Sequence, residues 1–370
     1  MDALIVGGGI MGLLTARELR RLGMQVTLLE RDRPGRQASW ASAGILAETL
    51  RHSPNAVDAL REYGQRLFPT LVAELREETG LDVDYVENGT LIPALDDTQA
   101  AELERETRTL QALGSPCEFV TGAALREAEP ALGPRVVAAR LAPGGNVENR
   151  RLVRALELAN LRNGVQIENG VQVIGLLRQG DAVVGVRTQA GDRFAPLVVL
   201  AAGSWSGQIA GADPPIPVVP QRGQILALWP GAHGPRRVVL TPGDPYLVPR
   251  RDGRLIVGAT RELVGYDASL TAGGLAWLLS SAIELVPGLA EAPVIEQWVG
   301  FRPLSADGVP LIGPAALRGL YYITGHGPTG IAPAPASVKL LVALIEGVPP
   351  PLPVAPYDPL RFRAAAGTTD

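Results

Sequence analysis

The chain opens with a hydrophobic pattern that predicts a strand, a helix and a second strand in succession. Residues 3–6 are a short apolar run, which is typical of a buried parallel strand. Over residues 13–22 the apolar positions recur at helical spacing, and Gly23 follows where such a helix ends. Residues 25–29 are a second apolar run, which closes with Glu30. The pattern therefore predicts a βαβ unit at the start of the chain.

The glycines between the first predicted strand and the helix have the spacing that a dinucleotide requires. Gly7 permits the tight turn, Gly9 lets the backbone approach a pyrophosphate, and Gly12 lets the helix pack closely on the strand. The helix N-terminus would face the phosphates with its partial positive charge. Glu30 ends the second predicted strand, where a carboxylate can accept hydrogen bonds from a ribose. Within a βαβ unit this motif predicts a dinucleotide site, but it does not separate NAD from FAD.

Three later segments are rich in small residues, which allow the backbone to approach a flat ligand. They are residues 35–46, 197–206 and 324–331. The first also fits a flexible surface loop, and the second also fits an ordinary buried strand. The third precedes a predicted helix, roughly Ala336 to Glu346, whose positive N-terminus would face the ligand. His326, within the third segment, is by itself more typical of a structural residue than of a catalyst.

The order of the predicted elements divides the chain into a discontinuous nucleotide-binding domain and an inserted domain. The fold class is α/β, with an α+β substrate domain. The second insertion is rich in predicted strands, which favours an antiparallel sheet that forms a wall over the cofactor. The tail, 351–370, is rich in Pro, Arg and Ala and is predicted to be loosely ordered. The expected ranges are 1–82, 141–215 and 296–350 for the nucleotide domain, and 83–140 and 216–295 for the substrate domain.

Composition excludes several other classes of function. Charged residues make up 19% of the chain and its net charge is −4, which argues against a nucleic-acid surface. Cys117 is the only cysteine and the three histidines are far apart, so we expect no disulfide, no iron–sulfur cluster and no metal site. The chain has no long apolar stretch and no basic N-terminal region before one. We therefore expect a cytoplasmic protein without a membrane span.

Short motifs from about Leu4 to Gly347 follow one shared pattern. They are Gly-Arg-Gln-Ala-Ser at 35–39, Ala-Gly-Ile-Leu at 43–46, Gly-Asn-Val-Glu-Asn-Arg at 145–150, Tyr-Leu-Val-Pro-Arg at 246–250, Val-Gly-Ala-Thr at 257–260, Trp-Val-Gly-Phe-Arg-Pro at 298–303, Asp-Gly-Val-Pro-Leu-Ile-Gly at 307–313 and Gly-His at 325–326. In these motifs the chain resembles the D-amino-acid oxidase and dehydrogenase superfamily, in particular its bacterial glycine oxidase branch. The resemblance implies a Rossmann-like FAD-binding domain of the glutathione-reductase type, with the inserted sheet of D-amino-acid oxidases.

The resemblance also implies which residues hold FAD. The cofactor would be bound without a covalent link, because the covalent flavin of sarcosine oxidases needs a cysteine near the late motif and Cys117 lies in the first insertion. Together with the glycines of the first turn and Gly203, the implied contacts are Ile10, Met11, Glu30, Arg31, Ala38, Ser39, Ala43, Gly44, Ile45, Val173, His326, Gly327, Pro328, Thr329, Gly330 and Ile331.

The reaction implied is the oxidative deamination of a small amino acid such as glycine, sarcosine or a small D-amino acid. A hydride would pass from the α carbon to flavin N5, and the resulting imine would hydrolyse to the oxo acid. In bacteria this branch often supplies thiazole synthesis for thiamine. Because the flavin carries the chemistry, no catalytic side chain is expected.

Two residues are candidates for binding the substrate carboxylate. Arg302 stands where the family has its carboxylate-binding arginine, and a guanidinium can donate two parallel hydrogen bonds. The alternative for this side chain is a structural salt bridge with Asp307. Tyr246 is the second candidate donor, and its alternative is a tyrosine packed in the sheet.

The late motif departs from glycine oxidases, which carry Tyr/Phe-Arg-Asn-Gly after the Gly-His pair. Here Gly327, Pro328, Thr329 and Gly330 follow. Pro328 has no hydrogen-bond donor, and Gly327 leaves more room beside the substrate. The departure favours, as an alternative, a D-amino-acid or D-proline/hydroxyproline dehydrogenase with a non-oxygen acceptor.

Three questions stay open. The oxygen-activating lysine of sarcosine oxidases is not evident, so the acceptor is O2 or another molecule. The oligomeric state is undetermined, and a homo-oligomer is among the states left open. A further class is a flavin-binding factor that does not oxidise amino acids, which would be favoured if Arg302 and Tyr246 lay far from the flavin.

Overall fold

The structure, a computed structural model, describes residues 2–47, 55–241, 243 and 245–363. The helices are α1 Ile10–Arg21, α2 Ala38–Ala41, α3 Ala56–Thr79, α4 Asp97–Ala112, α5 Gly122–Ala128, α6 Asn149–Arg162, α7 Ala272–Leu285 and α8 Ala334–Glu346. The strands are β1 Asp2–Val6, β2 Gln25–Glu30, β3 Ile45–Ala47, β4 Thr90–Ala94, β5 Glu118–Thr121, β6 Ala138–Ala142, β7 Gly144–Asn146, β8 Gln166–Asn169, β9 Val173–Gln179, β10 Ala182–Thr188, β11 Gly191–Phe194, β12 Leu197–Leu200, β13 Val218–Leu228, β14 Val238–Val239, β15 Tyr246–Pro249, β16 Leu255–Gly258, β17 Val294–Ser305, β18 Leu311–Pro314 and β19 Leu320–Thr324.

A six-stranded sheet in the order β18-β19-β12-β1-β2-β8 forms the nucleotide-binding part. Its strands are parallel except β18, which runs antiparallel to β19. Ala3 and Ile5 pack into a core with helices α1, α3, α6 and α8, while Leu4 and Val6 pack into a core on the other face with β10. Because both faces of β1 are buried, the strand is a continuous apolar run. The α/β class expected from the sequence is confirmed.

The helix boundaries follow from capping. Helix α3 begins with a reciprocal capping box between Asn55 and Asp58, and it ends at Gly80 in the left-handed conformation. Helix α1 begins at Ile10, one turn before the apolar pattern that predicted it. Helix α8 likewise begins earlier than predicted, at Ala334, after the fixed backbone of Pro333.

The second large sheet has eight strands in the order β17-β13-β16-β15-β14-β4-β6-β5. The strands of the second insertion pair antiparallel, as expected, and the pairing of β14 with β4 from the first insertion is parallel. Strand β17 stays in this sheet as far as Ser305, so the boundary expected at residue 296 cuts through a continuous strand. The assignment of the remaining ranges to domains stays a prediction.

The C-terminal segment packs against the rest of the chain as far as Arg363, contrary to the loosely ordered tail that composition predicted. The Tyr357 ring is buried, and its hydroxyl donates to the Ala56 carbonyl at 2.6 Å. Arg361 pairs with Asp307 at 2.8 Å. Composition misses this docking because a few specific contacts anchor the segment: the buried Tyr357 ring and the ion pairs of Arg361 with Asp307 and of Arg363 with Asp213. Residues 364–370 lie outside the described part of the chain.

Within the described ranges, no helix is both long enough and apolar enough to cross a membrane.

Candidate active site

The first turn places a helix N-terminus at the wall of a cavity. Gly7 has a φ of +106°, which favours glycine, and Gly9 is the N-cap of α1 and has no side chain to cap it. The Ile10 N–H donates to the Ser39 hydroxyl at 2.9 Å. Gly12 lies behind this turn, because a Cβ there would come 1.9 Å from the Gly7 carbonyl oxygen. Gly12 therefore allows close helix–strand packing and is not part of the cavity wall.

The acidic residue after β2 is held in place by the turn itself. Glu30 is buried, and its two carboxylate oxygens accept from the backbone N–H of Gly8 at 2.7 Å and of Asp32 at 2.9 Å. Each oxygen has a further lone pair for a ribose hydroxyl. Next to it the Arg31 guanidinium lies 3.5 Å from the centre of the Trp205 ring, and burial lowers the pKa of Arg31.

A single cavity of about 680 Å³ brings the separated segments together, a volume within the usual range for cofactor sites. It collects the first turn, the small-residue loop after β2, the turn after β12 and the late Gly-His segment. Of the sequence-predicted site residues, those on its wall are Gly7, Gly9, Ile10, Met11, Glu30, Arg31, Ala38, Ser39, Ala43, Gly44, Ile45, Val173, Gly203, Tyr246, Arg302, His326, Gly327, Pro328, Thr329, Gly330 and Ile331.

The helix N-terminus, the buried carboxylate and the extent of the cavity all fit a bound dinucleotide. The N-cap Gly9 brings no side chain to the end of the helix that reaches the cavity. The Ile10 N–H donates to Ser39, and the N–H groups that follow it can meet a phosphate. A buried carboxylate lies at the end of the neighbouring strand, as a ribose site needs. The cavity continues from there to the eight-stranded sheet, where a ring system and a substrate have room.

Arg302 and Tyr246 meet on the sheet wall above two glycines. The Arg302 Nη1 donates to the Thr260 carbonyl at 2.9 Å, and the guanidinium also lies in hydrogen-bond contact with the Tyr246 hydroxyl. A Cβ on Gly223 would come 2.6 Å from Arg302 Nη1, and one on Gly258 would come 2.7 Å from the Tyr246 hydroxyl. Burial lowers the pKa of Arg302 and raises the pKa of Tyr246.

Arg302 does not form the structural salt bridge with Asp307 that the sequence left open as an alternative to carboxylate binding. Asp307 pairs with Arg361, and Arg302 makes no salt bridge with any carboxylate of the described residues. The guanidinium therefore keeps donors free for an anion in the cavity.

His326 lies at the far end of the cavity in a buried setting. Its Nε2 is 3.0 Å from the Ser337 hydroxyl, which itself donates to the Pro333 carbonyl at 2.9 Å. Burial lowers the pKa of His326 to about 3, so the ring is neutral near pH 7. The residue is held as a neutral polar group and not as a proton-accepting base.

Sequence reasoning missed several wall residues. Trp205 stacks with Arg31, while Arg261 and Arg140 bring further positive charge to the cavity. The sequence also contains no indication that Gly223 and Gly258 lie directly under Arg302 and Tyr246. Arginine is common in this chain and glycine is more so, which leaves no local signal that marks these positions.

The fold and the cavity define a dinucleotide-dependent oxidoreductase with a substrate wall built from a second sheet. The chain belongs to the FAD dependent oxidoreductase family (DAO), whose model matches residues 2–344. FAD as the cofactor, predicted from the sequence, is thereby confirmed.

Known proteins of similar sequence and structure cover almost the whole chain. The chain is 41% identical over 366 residues to a glycine oxidase of Pseudomonas aeruginosa, covering 96% of this chain and 97% of that protein. The crystal structure of glycine oxidase from Geobacillus kaustophilus superposes with a TM-score of 0.90 at 30% identity, covering 96% and 97%. That of iminodiacetate oxidase from Chelativorans sp. BNC1 gives 0.86 at 30% identity, covering 96% and 98%.

Proposed function

We propose that the chain oxidises the C–N bond of a small amino acid, which is the activity that the name of the related glycine oxidases indicates. The observation that carries the proposal is the Arg302–Tyr246 pair, which faces the same cavity as the dinucleotide turn. A flavin-binding factor without amino-acid turnover has no need for a carboxylate clamp beside the cofactor. Glycine, sarcosine and small D-amino acids are the candidate substrates.

The residues of the substrate wall orient the substrate. Arg302 donates to the Thr260 carbonyl and the Tyr246 hydroxyl, and it presents the remaining donors of its planar fork to the carboxylate. Tyr246, fixed over Gly258, adds a hydroxyl donor to the same group. Holding the carboxylate at two points fixes the direction in which the Cα–H bond points. FAD, when bound, supplies the acceptor for the hydrogen and its electron pair.

No side chain of the described wall is suited to general acid–base work at neutral pH. His326 is neutral because burial lowers its pKa to about 3, and Glu30 is occupied by two backbone N–H groups. The proton of the amine must therefore leave before or during binding, with water as its destination. The protein contributes orientation and exclusion of water, which agrees with a reaction whose chemistry the cofactor carries.

The late segment supports a secondary amine as the second candidate substrate, with a non-oxygen acceptor. Gly327 and Pro328 both line the cavity, and neither brings a side-chain donor. Neither residue has a side-chain acceptor, and a secondary amine such as D-proline, hydroxyproline or sarcosine has one N–H fewer to satisfy than a primary amine and fills more space.

An anaerobic bleaching screen tests the proposed function independently of the acceptor. Purified holoenzyme is mixed with glycine, sarcosine, D-alanine, D-proline or hydroxyproline, and loss of the oxidised flavin absorbance is followed. At least one of these should bleach the flavin. Readmission of O2, or addition of a quinone, then identifies the acceptor by the rate of recolouring. A flavin that none of these amino acids reduces would contradict the proposal.

The Arg302→Ala variant tests the role of the guanidinium. Loss of a charge-assisted pair is worth about 1.5–3 kcal/mol, so KM should rise roughly 10- to 100-fold. Flavin content should stay that of the parent. Arg318→Ala, which removes a side chain 76% exposed on the surface, is the control. A KM that Arg302→Ala leaves unchanged would remove the assigned role.

A further inference from the structure

The cavity wall carries much more positive than negative charge. Six arginines line it, and Glu30 is the one acidic residue among the described lining residues. The lining arginines are Arg31, Arg36, Arg61, Arg140, Arg261 and Arg302.

Arg140 is the buried member of this set on the substrate sheet. Its side chain is 5% exposed and its Nη1 pairs with Glu106, itself about half exposed, at 3.2 Å. The Arg140 Nε is buried and has no hydrogen-bond partner within the described residues, and the same holds for the Thr241 hydroxyl on the same cavity wall. Buried donors without partners are rare in native proteins and indicate a missing acceptor.

The register of the sheet fixes where Arg140 stands relative to Tyr246. Val239 pairs with Leu247 and with Leu91, so the next residue, Leu240, faces both Tyr246 and Ile92. The Leu240 N–H donates to the Leu91 carbonyl at 2.8 Å, which continues that ladder.

Ile92 in turn pairs with Arg140 on β6. Tyr246, Leu240, Ile92 and Arg140 thus form one row across four strands, and all four line the cavity. The wall therefore offers a polar end, an apolar middle and a cationic end.

Strand spacing sets the length of ligand that fits this row. Three steps of about 4.8 Å separate the Cα atoms of Tyr246 and Arg140 by roughly 14 Å. Because side chains on a sheet stand roughly perpendicular to it, the two donor groups are about as far apart as the Cα atoms. Contacts of about 3 to 4 Å at each end then leave roughly 7 Å between two carboxylate carbons. At about 1.2 Å per bond in an extended chain, that corresponds to about five or six bonds.

We propose that Arg140, with Thr241, binds a second carboxylate of the substrate, at the end of a short apolar arm that lies over Leu240 and Ile92. Amino dicarboxylates of the D-2-aminoadipate and D-2-aminopimelate length are then the preferred substrate class. The substrate part of this statement rests on the proposed function, whereas the carboxylate subsite does not.

Simple diacids test the subsite without any oxidation. Titration calorimetry of the holoenzyme measures the affinity of succinate, glutarate, adipate and pimelate, with hexanoate as a monocarboxylate of adipate length. Adipate or pimelate should bind about 10-fold tighter than hexanoate, because one charge-assisted contact is added. Equal affinity of adipate and hexanoate would overturn the proposal, and solvent alone would then satisfy the Arg140 donor.

Variants of Arg140 test whether this residue causes the preference for adipate over hexanoate. Arg140→Met should reduce the ratio of adipate to hexanoate affinity to within about 2-fold, whereas Arg140→Lys should keep part of it because the charge remains. Arg108→Met, an exposed arginine of α4 paired with Glu104, is the matched control and should keep the whole ratio. Thermal melts of each variant confirm folding. The same ratio in Arg140→Met and Arg108→Met would count against the subsite.

Anaerobic bleaching with D-aspartate, D-glutamate, D-2-aminoadipate and D-2-aminopimelate then links the subsite to turnover. Faster flavin reduction by the two longer amino diacids supports the substrate class. If the plain diacids bind as expected but no amino acid of either screen bleaches the flavin, the subsite stands and the proposed function fails.

Discussion

At the scale of single residues, two glycines decide where the substrate-side donors lie. Gly223 and Gly258 stand on neighbouring strands, and the Arg302 guanidinium and the Tyr246 ring occupy the space that a Cβ would fill on each. The positions of the two donors therefore depend on the space that these glycines leave as well as on the contacts that the donors make. Arg302 has two acceptors, the Thr260 carbonyl and the Tyr246 hydroxyl, so a small shift of either changes the direction of the guanidinium.

Gly223→Ala should therefore impair substrate binding while sparing the fold. The new Cβ would come 2.6 Å from Arg302 Nη1, the mobile end of a long side chain, so the guanidinium moves and the backbone stays. A displacement near 1 Å at a positioning group costs up to about 100-fold in kcat/KM. Steady-state kinetics and flavin content measure both effects. A variant with parental kinetics would show that the position of the Arg302 guanidinium does not depend on the absence of a side chain at residue 223.

His326 should make stability depend on pH below neutrality. Burial lowers its pKa to about 3, whereas the unfolded chain binds a proton near pH 6.5, so stability is lost progressively as pH falls from about 6.5 to about 3. The loss is about 1.4 kcal/mol per pH unit in that window.

The urea midpoint at pH 7.5 and pH 5.0 measures this dependence. His326→Gln removes the group and should reduce the difference between the two midpoints, even if the variant is weaker at pH 7.5 from loss of the Ser337 contact. His233→Gln, which removes an exposed histidine, is the control. A difference that is the same in His326→Gln and the parent would contradict the assignment.

At the scale of elements, the first turn depends on how closely α1 approaches β1. Gly12 is the third residue of the helix, and its Cα faces the Gly7 carbonyl that closes the turn. The glycine thus acts on the cofactor through the distance between helix and strand. This explains why a residue of the dinucleotide motif lies off the cavity wall.

Gly12→Ala should weaken FAD binding and lower stability. Its Cβ would come 1.9 Å from backbone oxygen, which cannot rotate away, and overpacking of this kind costs about 1–3 kcal/mol. Gly273→Ala in α7 is the matched control, because nothing lies within 4 Å of its Cβ. Flavin per protein and the urea midpoint report the outcome. Equal flavin content in the two variants would contradict the packing role.

At the scale of the whole molecule, Arg250 connects the eight-stranded sheet to the small-residue loop, β7 and helix α6. It stands just after β15, and its guanidinium donates to Asn146 Oδ1, the Val147 carbonyl, the Ala43 carbonyl and Asn149 Oδ1 at 2.8–3.0 Å. These acceptors belong to the loop, strand and helix that line the nucleotide side. The cation thereby holds the substrate wall at a fixed distance from the cofactor loop.

Arg250→Met should loosen this connection. Four buried acceptors lose their donor, which costs about 3–5 kcal/mol by analogy with broken buried pairs. The urea midpoint should fall and FAD should dissociate more readily. Arg251→Met, the neighbouring arginine whose side chain is 62% exposed, should stay within about 0.5 kcal/mol of the parent. Similar losses in both variants would show that Arg250 has no special connecting role.

Much of the fold and part of the site could be predicted from local sequence. The sequence predicts the βαβ unit, the glycine turn and the role of Glu30 because each depends on residues fewer than thirty positions apart. Arg302 and Tyr246 were found only by resemblance, since a lone arginine or tyrosine in a strand has no local pattern. Docking of Tyr357 on Ala56 was missed, because the two lie 301 residues apart in sequence.

The sequence by itself determined the opening βαβ unit and its cofactor turn, because periodicity and glycine placement act over one helix or one strand. Only the tertiary structure decided that Arg140 shares a row with Tyr246 and that Gly223 and Gly258 lie under Arg302 and Tyr246, respectively. Those relations arise from pairings among strands distant in the chain, and their register is set by packing of the whole sheet.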